Sequence, residues 1–256
     1  LTFSGGPRYA IADRSEGPYG NHRPADHNLY VPKTARDDQG RILVAGTVRP
    51  DIGVAGGRGS MLREYYLSDD GRLLQRPLAE VLAAFSESVG TLDDLAKNVV
   101  TGQAERTDEG LRLTRGQQVP RVSLPEPADF LADFTVTLDA DSVFRLNFRR
   151  GGGQKTMQTF EISTLDNHIR LGTIANHSDN TRPVNDRVHQ VPVGEPVRVR
   201  LFAVGTVLTA FVEDHYTLTM NAVSLENTQL IAEAFQGTVT IRNLTLQQPA
   251  EPDRTE

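Results

Sequence analysis

The sequence predicts an all-β protein: about one blade of a β-propeller, a short helical connector and a jelly-roll β-sandwich. Three observations carry this reading. Extended runs separated by Asp, Gly and Pro turns fill the first part of the chain, two helical segments follow, and strands then recur at even spacing without helices. The expected boundaries are 1–76 for the blade region, 77–100 for the connector, 101–248 for the sandwich and 249–256 for a polar, disordered tail.

The first runs are Arg8 to Asp13, Tyr30 to Arg36, Arg41 to Thr47, Leu62 to Leu67 and Arg72 to Gln75. Glu16-Gly17-Pro18, Asp37-Asp38-Gln39-Gly40 and Asp69-Asp70-Gly71 lie between them and supply the residues a reversal needs. The last four runs read as one antiparallel meander, the size of a propeller blade, preceded by the outer strand of another. Apolar side chains on both faces (Val31, Ile42, Leu43, Val44, Leu62, Tyr65, Tyr66) suit a sheet packed between two neighbours.

Pro77 marks the start of a helix with Leu78, Val81, Leu82 and Phe85 along one face. A second helix is expected from Leu92 to Val100, with Asp93 and Asp94 favouring its N-terminus. Beyond it, Phe134–Leu138, Val143–Phe148, Thr159–Ile162, Ile169–Leu171, Val197–Phe202, Val207–Val212, Tyr216–Met220 and Val239–Leu246 are the clearest strands. Most alternate apolar with polar residues, so one face should meet a partner sheet and the other water.

Among 256 residues, 38% are hydrophobic, enough for substantial cores. Lys and Arg total 27 against 33 Asp and Glu, and the net charge of −6 offers no field for a polyanion, so nucleic acid is not an expected partner. No run approaches the ~20 apolar residues that span a bilayer as a helix, and no membrane partner is expected. With no cysteine, disulfides and thiolate metal sites are excluded, which suits a reducing or an oxidising compartment equally. The chain opens with Leu1 and carries neither a basic n-region nor a small-residue cleavage site, and the expectation is that an N-terminal part precedes it.

Leu62-Arg63-Glu64, Leu67, Asp70-Gly71-Arg72-Leu73 and Gln75-Arg76-Pro77-Leu78 resemble the junction between propeller and sandwich in glycosyl hydrolase family 32, which contains invertases, levanases and inulinases. Leu208 to Asp214, Leu218-Thr219 and Gly237 to Leu246 resemble the closing strands of that family's sandwich. The likeness is best over residues 28–80 and 197–247. It implies that the chain is the C-terminal portion of such an enzyme: the end of a five-bladed propeller, a connector and a concanavalin-like sandwich. For the whole enzyme it implies β-fructofuranosidase-type hydrolysis of sucrose or fructans, with an oligosaccharide or polysaccharide as substrate, water as acceptor and no cofactor. The preceding blades would be the segment's partner within the same protein.

Retaining furanoside hydrolysis needs a nucleophilic carboxylate and an acid/base roughly 5 Å apart. In the family these sit in Trp-Met-Asn-Asp-Pro-Asn-Gly and in Glu-Cys or Glu-Met-Pro motifs, with a stabilising Asp in Arg-Asp-Pro. The chain has no tryptophan or cysteine and none of the three motifs, so no catalytic residue is assigned within it. Arg36-Asp37-Asp38, the nearest approach, reads as a hairpin turn. Asn28-Leu-Tyr-Val-Pro-Lys-Thr34 resembles the family's Asp-Phe-Tyr-Ala-x-x-Thr segment beside the pocket, with His27 or Asn28 in place of the Asp. The resemblance therefore implies Asn28, Tyr30 and Lys33 as substrate-binding candidates. An interior tyrosine and a lysine on the rim are the alternative.

Phe148 to Thr156 contains three glycines and a lysine, but Gln154 precedes Lys155 and the following residues are strand-like, so it reads as a basic turn rather than a phosphate loop. His168, His177 and His189 are spaced too irregularly for a metal site on one element, and no metal is expected. Asn176-His-Ser178 and Asn243-Leu-Thr245 match the glycosylation pattern at a frequency near chance.

Other readings follow from the same residues. Five-bladed furanosidases that cleave arabinose-containing glycans share the blade pattern. A non-catalytic sandwich can bind carbohydrate or brace a neighbouring domain, and the 6% aromatic content points to bracing. An exposed blade also suits an oligomer-forming structural protein.

Overall fold

In the second half of the chain, strands of alternating apolar and polar residues pair side by side and stack through their apolar faces. The computed structural model describes residues 2–4, 8–10, 23–24, 29–48, 58–150, 156–175, 181–188, 190–221 and 229–250. Within them the chain runs β1 (Thr2–Ser4), β2 (Arg8–Ala10), β3 (Arg23–Pro24), β4 (Leu29–Arg36), β5 (Ile42–Val48), β6 (Arg58–Gly59), β7 (Arg63–Leu67), β8 (Leu73–Pro77), α1 (Ala79–Ala84), β9 (Glu87–Thr91) and α2 (Leu92–Lys97). It continues as β10 (Val99–Thr101), β11 (Ala104–Thr107), β12 (Gly110–Thr114), β13 (Arg121–Pro125), β14 (Phe130–Leu138), β15 (Val143–Arg150), β16 (Thr156–Ser163), β17 (His168–Ala175) and β18 (Thr181–Val188). The last strands are β19 (Pro196–Val204), β20 (Val207–Val212), β21 (Tyr216–Asn221), β22 (Gln229–Gln236) and β23 (Thr238–Gln248).

The sandwich pairs a seven-stranded sheet, in the order β10-β13-β22-β15-β16-β17-β18, with an eight-stranded sheet, β11-β12-β23-β14-β19-β20-β21 plus β9 on β23. All pairings are antiparallel among the described strands. Phe144, Leu146, Phe148, Phe160, Ile162 and Leu171 of one sheet meet Phe130, Phe134, Val136, Leu138 and Val199 of the other in a single buried core. Phe130–Phe148 and Phe134–Phe144 pack edge-on and tilted across the seam, with centroids 6.2 and 5.7 Å apart. A fold of this kind is what the even strand spacing predicts.

One extra residue keeps this core in register. Between Asp133 and Thr135 the pairing of β14 with β23 shifts, and Asn243 sits at φ +53°. Val239 and Ile241 precede the bulge, Leu244 and Leu246 follow it, and all four face the core. Without the bulge, strict alternation would turn one pair outward.

The N-terminal runs form two further sheets. β1, β2 and β3 pair with one another, so the run starting at Arg8 belongs to its own small sheet. β4, β5, β7 and β8 form an antiparallel meander with β6 also on β5. β6, Ser60 and β7 lie in turn along the same edge of β5, with Ser60 N–H donating to the Gly46 carbonyl at 2.7 Å. The meander is therefore as the turns at Asp37–Gly40 and Asp69–Gly71 imply. At the first, Asp37 accepts hydrogen bonds from the Gln39 and Arg41 amides, and Gly40 takes φ +80°.

The connector departs from its expected form. Pro77 closes β8 instead of starting α1, whose N-cap is Leu78. Thr91 and Asp94 build a capping box on α2, but that helix ends at Lys97. Val99 and Val100 enter β10, because β-branched residues at a sheet edge compete well with a marginal last turn. Glu87–Thr91, between the helices, is a strand paired with β23. From the tail, the Ala250 amide donates to the Ala84 carbonyl at 3.1 Å, and residues 251–256 lie outside the described residues.

The outer face of the eight-stranded sheet does not simply meet water. Leu131, Phe202 and Phe211 on it pack with Phe85, Val81 and Leu82 of the α1 segment and with Met61. Phe202 stands edge-on to both Phe85 and Phe211, at 5.4 and 5.9 Å. Beside this cluster the Tyr66 hydroxyl donates to the Asp214 carbonyl at 2.9 Å, and the fully buried Arg63 reaches the Thr219 hydroxyl. The meander is thus fastened to the sandwich by an apolar patch with polar contacts alongside.

Candidate ligand-binding face

On the seven-stranded sheet, the side chains that point away from the core carry charge where alternation leads one to expect scattered surface residues. The register lines up Arg121 with Glu233, Glu233 with Arg145, Arg145 with Glu161, Glu161 with Arg170 and Arg170 with Asp186. A row of alternating sign therefore crosses six neighbouring strands. Directly opposed side chains on adjacent strands lie close enough for ion pairs, and here every junction joins unlike charges.

The contacts are short and largely dry. Arg121 Nε donates to Glu233 Oε2 at 2.7 Å, Arg145 Nε to Glu161 Oε2 at 2.7 Å, and Arg170 Nη1 to Glu161 Oε1 at 3.0 Å. Arg145 Nη1 lies 3.9 Å from Glu233 Oε1, and Arg170 Nε lies 3.4 Å from Asp186 Oδ1. Only 6% of the Arg145 side chain and 3% each of Glu161 and Glu233 are exposed. Burial of that degree is tolerable because each carboxylate is held by more than one cation. Thr181 adds a third donor to Glu161, Oγ1 to Oε2 at 2.6 Å, and the Arg145 guanidinium lies 3.6 Å from the centre of the Phe235 ring.

Asp166 and His168 extend the network at one end. Arg170 Nη2 donates to Asp166 Oδ2 at 2.6 Å, His168 Nδ1 lies 3.1 Å from the same oxygen, and the His168 and Arg170 side chains are in direct contact. Partial burial pushes the Asp166 carboxyl up, but bonds with Ser163, His168 and Arg170 outweigh it and hold the pKa at about 2. Burial likewise works against the Arg170 charge, and Asp166 and Glu161 overcome it and raise its pKa.

A pocket of about 320 Å³ opens over Arg145, Glu161 and Arg170, with Asp166, Thr181 and Phe235 in its lining. Two guanidinium groups and two carboxylates line it, so its formal charge cancels. Val143, Leu165 and Pro183 give it an apolar border. Such a site can exchange hydrogen bonds with a polar ligand, but it presents no activated nucleophile, since both carboxylates are already committed to cations.

The candidates named from sequence lie elsewhere. Asn28 is outside the described residues, as is the side chain of Tyr30, whose backbone is in β4. Lys33 is exposed on β4 opposite Ala45, beyond a register shift that begins at Tyr30, and so stands on a different sheet from the charged row. Asp37 is locked in its turn by Arg41 Nε at 2.7 Å, and Arg41 also holds Glu80 at 2.8 Å. Residues 151–155, centre of the glycine-rich turn, are outside the described residues, and the β15 and β16 strands flanking it pair as a hairpin.

No protein-family model and no curated protein matches the chain. Solved structures share its fold at low identity. An exo-inulinase from Aspergillus awamori superimposes with a TM-score of 0.68 at 12% identity, covering 96% of this chain and 52% of that one. A family 32 β-fructofuranosidase from Bombyx mori gives 0.61 at 15%, over 95% of this chain and 47% of that one. A carbohydrate-binding module from Bacillus subtilis gives 0.52 at 14%, over 59% of this chain and 94% of the module. The chain spans about half the length of the two enzymes.

Proposed function

We propose that these residues form the C-terminal, non-catalytic half of a glycoside hydrolase that acts on furanosides, by β-fructofuranosidase-like hydrolysis of sucrose or fructans. One observation supports this above the rest: the likeness to such enzymes runs through more than nine-tenths of the chain, meander and sandwich together, and is not confined to the common sandwich fold. In this reading β4 to β8 are the last blade of a five-bladed propeller, and the catalytic carboxylates are carried on the segment preceding Leu1. Lys33, Thr34, Ala35 and Arg36 are exposed in succession, which leaves both faces of β4 open for adjoining blades to cover. Asn28, Tyr30 and Lys33 would then approach substrate only in the complete ring.

The test compares the 256-residue chain with the same chain preceded by its upstream coding sequence. Release of fructose from sucrose, levan or inulin by the longer protein, and none by the chain alone, is expected. Release of arabinose from arabinan instead would move the activity to the related five-bladed furanosidases. A longer protein inert on all four glycans would end the enzyme reading.

A second reading, in which the sandwich binds carbohydrate without catalysing its cleavage, is favoured by the pocket over the charged row and by the likeness of 59% of the chain to nearly the whole of a carbohydrate-binding module. Retardation of the chain in gels containing levan, inulin or arabinan distinguishes binding from bracing.

A further inference from the structure

We infer that the pocket over Arg145, Glu161 and Arg170 holds a neutral sugar unit of a glycan through its hydroxyl groups. This rests on the binding reading of the sandwich, not on the enzyme reading. The chemistry of the lining selects the ligand class. A phosphate or carboxylate would be repelled by Glu161 and Asp166 in the same lining, and a cation would have to displace guanidinium groups already within 2.7 and 3.0 Å of Glu161. A hydroxyl group meets neither obstacle. It accepts from a guanidinium N–H and donates to a carboxylate oxygen at once, and on this face such groups stand side by side.

The remaining features fit the same ligand. Val143, Leu165 and Pro183 border the polar floor and offer a surface for the C–H groups of a ring. Leu165, half exposed, stands at that border. A volume of about 320 Å³ lies at the lower end of ligand pockets and suits one sugar ring with a second at the mouth. Because Glu161 is already fixed by Arg145, Arg170 and Thr181, little side-chain ordering is needed when the ligand enters. Scarcity of aromatic rings argues against binding by stacking, but this site grips through paired charges and has one ring, Phe235, beneath Arg145.

Calorimetric titration of the 256-residue chain with levan-, inulin- and arabinan-derived oligosaccharides tests the proposal, with inorganic phosphate as the charged comparator. Asp166→Asn alters a rim residue with 42% of its side chain exposed, and Thr181→Val removes one hydroxyl, so neither should prevent folding. At least one neutral oligosaccharide is expected to bind, each variant to weaken it about tenfold, and phosphate to give no heat. Undiminished binding by both variants would remove the site while leaving the sandwich a carbohydrate binder. Failure of all three oligosaccharides would remove both, and hydrolysis by the longer protein would still stand. Competition by phosphate would reassign the pocket to anions.

Discussion

Arg145 and Glu161 face each other across β15 and β16, with Nε 2.7 Å from Oε2 and almost no exposure of either side chain. Glu161 also accepts from Arg170 and Thr181, so the carboxylate is solvated by the protein in place of water. Removing it leaves two guanidinium groups facing each other. Glu161→Ala is expected to cost on the order of 3–5 kcal/mol in urea-induced unfolding, whereas Arg145→Met with Glu161→Leu should cost less than the two single changes added together. Simple additivity would mean that the pair is not coupled.

Asp166 contributes to stability in a defined acid window. Its pKa is about 2 in the folded chain against an ordinary value of 3.8, so the folded state favours the ionised form. That contribution is fully present above the ordinary value and is lost as the pH falls through about 2. Asp166→Asn should therefore lower stability at neutral pH and flatten its decline between those two values. Chemical unfolding at a series of acid pH values measures this, and parallel profiles for the two proteins would contradict it.

Asn243 occupies the left-handed region at the bulge that keeps Leu244 and Leu246 in the core. Asn243→Gly should be nearly neutral. Asn243→Val places a β-branched side chain at positive φ and should cost about 1–2 kcal/mol in thermal or chemical unfolding. Equal stability of the two variants would show that the bulge relaxes freely.

Gly110 begins β12 at φ +146°, where an added Cβ would lie 2.3 Å from the Ile241 carbonyl oxygen. Gly110→Ala must push β12 from β23, and a loss of about 3 kcal/mol or more is expected. Insoluble expression would agree with this; an unshifted melting temperature would not.

Tyr66 joins the meander to the sandwich through its bond to the Asp214 carbonyl. Tyr66→Phe keeps the ring and loses only the bond, so about 1 kcal/mol is expected, together with faster proteolytic cleavage in the segment linking the two. Unchanged cleavage would mean that the apolar cluster around Phe85 and Phe202 and the Arg63–Thr219 contact hold the two parts together without it.

Much of the fold can be read locally. Asp37–Gly40 and Asp69–Gly71 announce their turns by chemistry, and alternation in Phe134–Leu138 or Val197–Phe202 separates core from outer face within a few residues. The helix after Leu92 is over-read at its C-terminus because Val99 and Val100 are decided by a strand, β13, that lies well beyond them. Glu87–Thr91 is hidden for the same reason: it has one apolar side chain, Val89, and becomes a strand only by pairing with β23. The charged row is less legible still. Arg145, Glu161 and Arg170 each look like ordinary outward residues of their own strands, and only the register between β15, β16, β17 and β22 makes them a row. A useful sign was present in the sequence, since the non-core positions of these strands hold charged groups of opposite sign, but pairing it required the sheet order.

β23 is not at an edge of its sheet but between β12 and β14, and β9 joins it as well. As the chain leaves the ribosome, β9, β11, β12 and β14 must wait for residues 238–248 before their sheet has a centre. The core therefore closes only after residues 238–248 have emerged, and until then the unfinished halves are candidates for chaperone capture.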